Sequence, residues 1–152
     1  MDKEQTWCPS GDAGAPEAVV LGVRSGENGR LVYLADPVPA SAVLDRVPEG
    51  VEPGRVMRFA SHCVSECKHR RGNDCTLVER ISAVPGNPEQ ERVPRCHLRG
   101  RCTWWAQTGA EGCRRCPVIS TRNTEDDELA ALVADPDVTV EQVERWIENH
   151  RR

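Results

Sequence analysis

The chain has 152 residues, with a single Phe, a single Tyr and four Trp against eight Cys, twelve Gly and eleven Pro. So few large side chains exclude a core built on aromatic packing alone, and point to coordinate or covalent bonds taking over part of that role. The formal net charge of −4 counts against strong non-specific nucleic-acid binding, and no apolar run approaches the roughly 18 residues that a membrane span needs.

The opening stretch, MDKEQTWCPSGDAG, has no basic region followed by an apolar one, so it reads as lacking a secretory signal. A cytoplasmic protein is expected. In that compartment thiols stay reduced, and clustered cysteines read as metal ligands or redox groups rather than as structural disulfides. Residues 1–17 are read as a flexible lead-in whose one feature is Trp7-Cys8-Pro9. Cys8 is expected to be a free thiol on a mobile arm, with service as an extra ligand the alternative. On this reading its substitution leaves any bound metal in place.

Residues 18–61 are read as a small β-sheet region. Two runs rich in β-branched residues flank Ser25-Gly26-Glu27-Asn28-Gly29, and Asn-Gly is a strong hairpin signal. Tyr33 is expected to pack on the sheet face. Prolines at 37, 39, 48 and 53 exclude long elements between 36 and 55, with Ser41 as cap of a short helical turn through Ala42–Leu44. A third strand, Val56–Ala60, leads straight into His62-Cys63.

Residues 62–122 carry the chemistry. Seven cysteines, Cys63, Cys67, Cys75, Cys96, Cys102, Cys113 and Cys116, fall here, and all seven are candidate ligands of a metal centre. Cys63-x3-Cys67 and Cys113-x2-Cys116 are close pairs, each able to grip one metal from a turn. A faint echo relates Cys67–Cys75-Thr76 to Cys96–Cys102-Thr103, with Arg and Gly between the cysteines of each, so a two-lobed unit and a chance likeness both stand. The segment holds 11 Lys and Arg against 6 Asp and Glu, a net of +5 that offsets thiolate charge.

Zinc wants two CxxC-type knuckles, and only one true CxxC is present, although His62, His69 or His97 offers a further ligand. Iron–sulfur clusters accept thiolates from separated segments. Cys113-Arg114-Arg115-Cys116-Pro117 resembles the Cys-Pro ending of bacterial ferredoxin motifs, without their full CxxCxxC run. The whole block is similar to small cysteine-rich bacterial iron–sulfur-type proteins. That resemblance implies an iron–sulfur cofactor, expected to be of the 4Fe–4S kind, on the seven cysteines. Trp104 and Trp105 are expected to form an apolar wall, with shielding of the centre from water and base stacking as the alternatives. Arg99, Arg101, Arg114 and Arg115 are expected on a solvated basic face, with sulfur hydrogen bonding or docking to an acidic partner as alternatives.

Residues 123–152 read as an acidic helical tail. One helix follows Thr124 with Leu129, Leu132 and Val133 on its apolar face, and Asp135-Pro136 ends it. Thr139 and Gln142 then fit a capping box, with Val138 and Val143 as a hydrophobic staple. Val140, Val143, Trp146 and Ile147 line the second helix. The pair is expected to pack on the metal region, with docking on a partner as the alternative. No phosphate loop, HExxH or G-x-S-x-G appears, so no catalytic residue is assigned.

The expectation is an α+β protein with an N-terminal hairpin sheet, a cysteine-ligated centre and a C-terminal helical pair. Its expected function is electron transfer, or support of a partner redox enzyme. The alternatives are a zinc-stabilised module binding protein or nucleic acid, nucleic acid being disfavoured, and a redox-sensing regulator.

Overall fold

The computed structural model describes residues 6–24, 31–64, 66–85, 93–117 and 127–150. An antiparallel sheet of four strands has the order β1-β4-β2-β3, with β1 Trp7–Cys8, β2 Val19–Arg24, β3 Leu31–Pro39 and β4 Met57–His62. A two-stranded ribbon, β5 Arg70–Arg71 with β6 Asp74–Cys75, leads into five short helices. These are α1 Thr76–Ser82, α2 Thr103–Thr108, α3 Ala110–Arg115, α4 Glu128–Ala134 and α5 Val140–Asn149. The architecture is α+β, as the sequence leads one to expect. No helix among the described residues is long and apolar enough to cross a membrane.

Strands β2 and β3 pair with Val23 opposite Val32 and Gly22 opposite Tyr33, and the register shifts between Val20 and Gly22. The Ser25–Gly29 turn lies outside the described residues. β3 runs on through Pro37 to Pro39, longer than the prolines suggest. It is an edge strand, where a missing backbone donor leaves no ladder bond unmade. The helical turn expected at Ala42–Leu44 appears instead as two 3-10 turns, Ala40–Ala42 and Leu44–Arg46. Neither has a side-chain cap, so Ser41 does not serve as one.

The flexible lead-in is the first correction. Trp7 and Cys8 pair with His62 and Ser61 of β4, so the chain here is a strand of the sheet. The following residues stay tied to β4. Gly11 N–H donates to Phe59 O at 2.8 Å, Asp12 N–H to Ser61 Oγ at 3.0 Å, and His62 N–H to Glu17 Oε2 at 2.9 Å. The length of pairing in a short strand is small, but these bonds fix its position along β4.

Alternation along the strands gives the sheet two buried faces. Val20 and Phe59 pack on one face with Ala18 and Ala40. Leu21, Leu31 and Ala60 turn to the other, where they join Leu77, Val78, Ile81, Trp104, Val133 and Val143 from the helices. The same alternation puts Arg58 on the helix side, and it is buried there. Helix α1 is the hub and packs against each of the other four helices. Its Leu77, Val78 and Ile81 are fully buried, each contributing about 1.5–3 kcal/mol by removal from water.

The helical pair packs onto this hub. Arg80 of α1 is buried, and its guanidinium donates to Val133 O at 2.6 Å and Val138 O at 3.5 Å. One arginine thus closes the end of α4 and the turn into α5. Asp127 caps α4 by accepting from Ala130 N–H at 3.0 Å, whereas the expected cap Thr124 lies outside the described residues. The Thr139–Gln142 capping box is formed in both directions, and Val138 and Val143 belong to one cluster.

Candidate metal centres

Chain order and local geometry place the cysteines in two neighbourhoods of four, without three side chains of either converging. Cys8 ends up beside Cys63 because β1 runs along the edge of β4, where Cys63 N–H donates to Thr6 O at 3.0 Å. The β5–β6 ribbon turns through Gly72, whose φ of +64° suits glycine in a tight hairpin. It brings Cys75 back past Cys67. Cys8, Cys63, Cys67 and Cys75 together line one open cleft of about 830 Å³, and we call them the outer quartet.

The inner quartet is Cys96, Cys102, Cys113 and Cys116. A 3-10 turn at Arg99–Arg101 joins the first two. Gly109, at φ +62°, breaks α2 from α3. Cys113 lies on α3 and Cys116 caps its end, so their three-residue spacing sets both on one helix face. Cys102 and Cys116 are buried. All eight cysteines are described, and none is in a disulfide.

The faint sequence echo has a structural counterpart. Cys75 and Cys102 occupy the N-cap positions of α1 and α2, both with extended backbone and each followed by Thr. The amides of Val78 and Leu77 favour the Cys75 thiolate, and those of Trp105 and Trp104 favour that of Cys102, although neither sulfur makes a capping bond of ordinary geometry. Each quartet therefore contains one cysteine aimed along opening helix amides.

The electrostatic influences between sulfurs run within the same two groups. In the outer quartet the hydrogen bond from Cys8 holds the Cys63 pKa down to about 6 against burial, with help from the Thr103 and Thr6 hydroxyls. The same bond, and then burial, push the Cys8 thiol up. Burial raises Cys75, and the thiolates of Cys67 and Cys63 add to it. In the inner quartet burial pushes Cys102 up to about 12, with Cys116 and Cys96 contributing. Cys96 is raised by burial and by Cys116 and Cys113. Cys113 is raised by burial, while Arg99 opposes.

Two arginines serve the inner quartet. Arg58 donates from Nη1 to Cys116 Sγ at 3.1 Å and from Nη2 to Cys116 O at 2.6 Å. Arg99 lies over the Trp105 ring at 5.2 Å and approaches Cys113 Sγ at 3.6 Å. Tyr33 faces Cys116 with its pKa raised, first by burial and then by that sulfur. Five buried side-chain atoms lack a hydrogen-bond partner of ordinary geometry among the described residues: Tyr33 Oη, Ser82 Oγ, His97 Nε2, Arg99 Nε and Trp104 Nε1. Such orphans are uncommon in native proteins, and one of them, His97 Nε2, belongs to the residue next to Cys96.

The seven cysteines read from the sequence divide three and four between the groups. Cys8 is a free thiol, as expected, but it stands on a strand paired with β4 rather than on a mobile arm. The available signal was the Cys-Pro pair, shared by Cys8-Pro9 and Cys116-Pro117. Arg58 and Thr103 were also missed. Of the basic residues expected on a solvated face, Arg99 turns to sulfur, while Arg114 and Arg115 pair with Glu111 at 3.2 and 2.8 Å. The histidines differ in how far they are engaged, and His97 Nε2 is buried without a partner among the described residues. His69 Nδ1 lies 2.8 Å from Arg80 Nη2, and a guanidinium only donates, so Nδ1 accepts and is occupied. His62 packs its ring on Trp7 at 4.4 Å, and the backbone of Val20 engages His97.

Among the described residues, no three or more His, Cys, Asp or Glu side chains converge closely enough to hold a metal ion as they stand. Comparison of the chain with protein-family models, with curated proteins and with solved structures gave no match.

Proposed function

We propose that this protein is a two-centre iron–sulfur protein of the cytoplasm. It passes electrons to a redox enzyme, or supports such an enzyme as an accessory. The observation that carries the reading is the division of eight cysteines into two quartets, since four thiolates are the ligand set of a 4Fe–4S cluster. Cys8, Cys63, Cys67 and Cys75 would hold one, and Cys96, Cys102, Cys113 and Cys116 the other. When bound, such clusters supply one-electron redox chemistry.

The orphaned donors suit a cluster, whereas the unpartnered His97 Nε2 would suit a zinc ion. A zinc ion needs thiolates about 3.8 Å apart around Zn–S bonds of about 2.3 Å, and brings no acceptor of its own. A cluster brings sulfides, which accept hydrogen bonds from groups such as the orphaned Tyr33 Oη, Arg99 Nε and Trp104 Nε1. The chain's own residues then have distinct tasks. Arg58 and Arg99 offset thiolate charge, Trp104 excludes water from between the quartets, and the opening amides of α1 and α2 favour ionised sulfur.

Anaerobic purification, a visible spectrum and assays of iron, zinc and acid-labile sulfide test this. The expected protein is brown, with broad absorption near roughly 400 nm and about eight iron and eight sulfide per chain. A colourless protein with two zinc ions and no sulfide would replace this reading with the interaction module, whose exposed cations include Arg95 and Arg101.

A further inference from the structure

Independently of any metal, we infer that Cys8 and Cys63 form a redox-active dithiol, which a hydroperoxide converts to a disulfide joining β1 to β4. The two sulfurs are hydrogen-bonded to each other. Trp7 stands opposite His62 and Cys8 opposite Ser61, and Cys63 N–H continues the ladder by donating to Thr6 O at 3.0 Å. Cys8 and Cys63 are therefore diagonal neighbours on one face of the strand pair. Each sulfur has a further contact. Ser10 N–H donates to Cys8 Sγ at 3.4 Å, and Thr103 Oγ1 lies 2.8 Å from Cys63 Sγ.

Diagonal neighbours stand about 7–8 Å apart, whereas the Cα atoms of a disulfide are most often about 5.5–6 Å apart. Closing the bond therefore draws the two strand ends together. Both cysteines sit where the chain can yield: Cys8 is the last residue of β1, and Cys63 is the first beyond β4.

Other cysteines are placed differently. Cys8 and Cys63 line the open cleft of about 830 Å³, which admits a small oxidant. Cys67 and Cys75 line it too, but Cys75 feels Cys67 and Cys63 as charges through space rather than as hydrogen-bond partners. Cys102 and Cys116 are buried. Among the described residues no three His, Cys, Asp or Glu side chains converge closely enough to hold a metal ion, so the Cys8–Cys63 contact is a pairwise one, as a dithiol requires.

Exposure orders the steps. Val64 beside Cys63 is 48 % exposed, whereas Cys8 is followed by buried Pro9 and Ser10. Cys63 is thus the sulfur that meets the oxidant, and Cys8 the one that resolves the product. The Cys63 sulfur attacks the O–O bond of the hydroperoxide. An S–O bond forms, the O–O bond breaks, and the thiol proton leaves with the departing oxygen as an alcohol. Sulfur loses two electrons, and the peroxide gains them. The Cys8 sulfur then attacks the sulfenic acid. An S–S bond forms, the S–O bond breaks, and the hydroxyl leaves as water with the Cys8 proton. Two thiols and one hydroperoxide give one disulfide, one alcohol and one water. The disulfide and a metal at the outer quartet are alternative uses of the same two sulfurs.

The test treats the full chain, purified anaerobically under reducing conditions, with equimolar hydrogen peroxide. Remaining thiols are blocked with N-ethylmaleimide in denaturant, and unreduced peptides are mapped by mass spectrometry. The expected product in most chains is a Cys8–Cys63 linked peptide that dithiothreitol reverses, with Cys102 and Cys116 recovered as alkylated thiols. Cys8→Ser should abolish the link and let dimedone trap Cys63 as its sulfenic acid. Links spread over other cysteines, with Cys8–Cys63 no commoner than Cys63–Cys67, would overturn the inference. So would wild-type Cys63 oxidised to sulfinic acid while Cys8 stays reduced. Iron and sulfide are assayed on untreated protein, so either result leaves the iron–sulfur reading standing. A chain that forms the link and carries no iron would overturn that reading alone.

Discussion

Cys8 and Cys63 act as one unit in the metal-free, reduced protein, because the Cys8 hydrogen bond is the largest cause of the low Cys63 pKa of about 6. A depressed pKa means that Cys63 is thiolate above pH 6 and thiol below it. Thiolate is the nucleophile, so iodoacetamide labelling of Cys63, read by mass spectrometry, should climb through pH 6 and then level. In Cys8→Ala the rise should move toward the ordinary thiol range, near about 8.5. An unchanged profile would mean that the two sulfurs are not partners. The remaining described thiols with resolved shifts lie on the opposite side of the ordinary value, since burial raises Cys75, Cys96, Cys102 and Cys113. Metal binding at those positions must displace protons, so affinity should fall as pH falls.

At the scale of elements, the seam between α1 and α3 decides whether the inner quartet forms. Gly112 sits there, and a Cβ on it would stand 2.5 Å from Thr108 Oγ1 and 2.7 Å from Val78 Cγ2. Gly112→Ala should therefore push α3 off the hub, destabilising the fold by about 1–3 kcal/mol. Because Cys113 is the next residue, the variant should also bind less metal, and denaturation midpoint with metal content reads both effects. Normal stability with full metal would show that the seam is looser than its geometry. The elements differed in how plainly the sequence announced them. The β2–β3 pair and the α4–α5 pair were legible because each rests on local signals: β-branched runs around a turn, and a Thr-x-x-Gln capping box before an apolar face. Helices α1, α2 and α3 were not. They are only six or seven residues long, too short to display a period, and two of them begin at a cysteine rather than at a usual cap. Strand β1 has two residues and no local signature. Its place comes from bonds to Phe59, Ser61 and His62, far away in sequence.

At the scale of the molecule, the same non-local contacts explain why the cysteines' grouping escaped a reading of spacings. Seven cysteines in 54 residues left the number of centres open, whereas the eighth, 55 residues upstream of Cys63, allows a division of four and four. The division depends on β1 reaching the edge of β4 and on α2 standing between the groups, neither of which local patterning encodes. Arg58 was legible in retrospect: it alternates with Met57 and Phe59, so a charge had to face the helices. The sheet supports one wall of this arrangement and the α4–α5 pair another, through Arg80. The most direct measurement is iron and acid-labile sulfide per chain in anaerobically purified Cys8→Ala, beside wild type and Cys116→Ala. The account predicts that each variant keeps about half of the wild-type iron and sulfide, one retaining the inner centre and the other the outer. Full iron in Cys8→Ala, with loss confined to Cys116→Ala, would contradict it and return Cys8 to the role of a bystander.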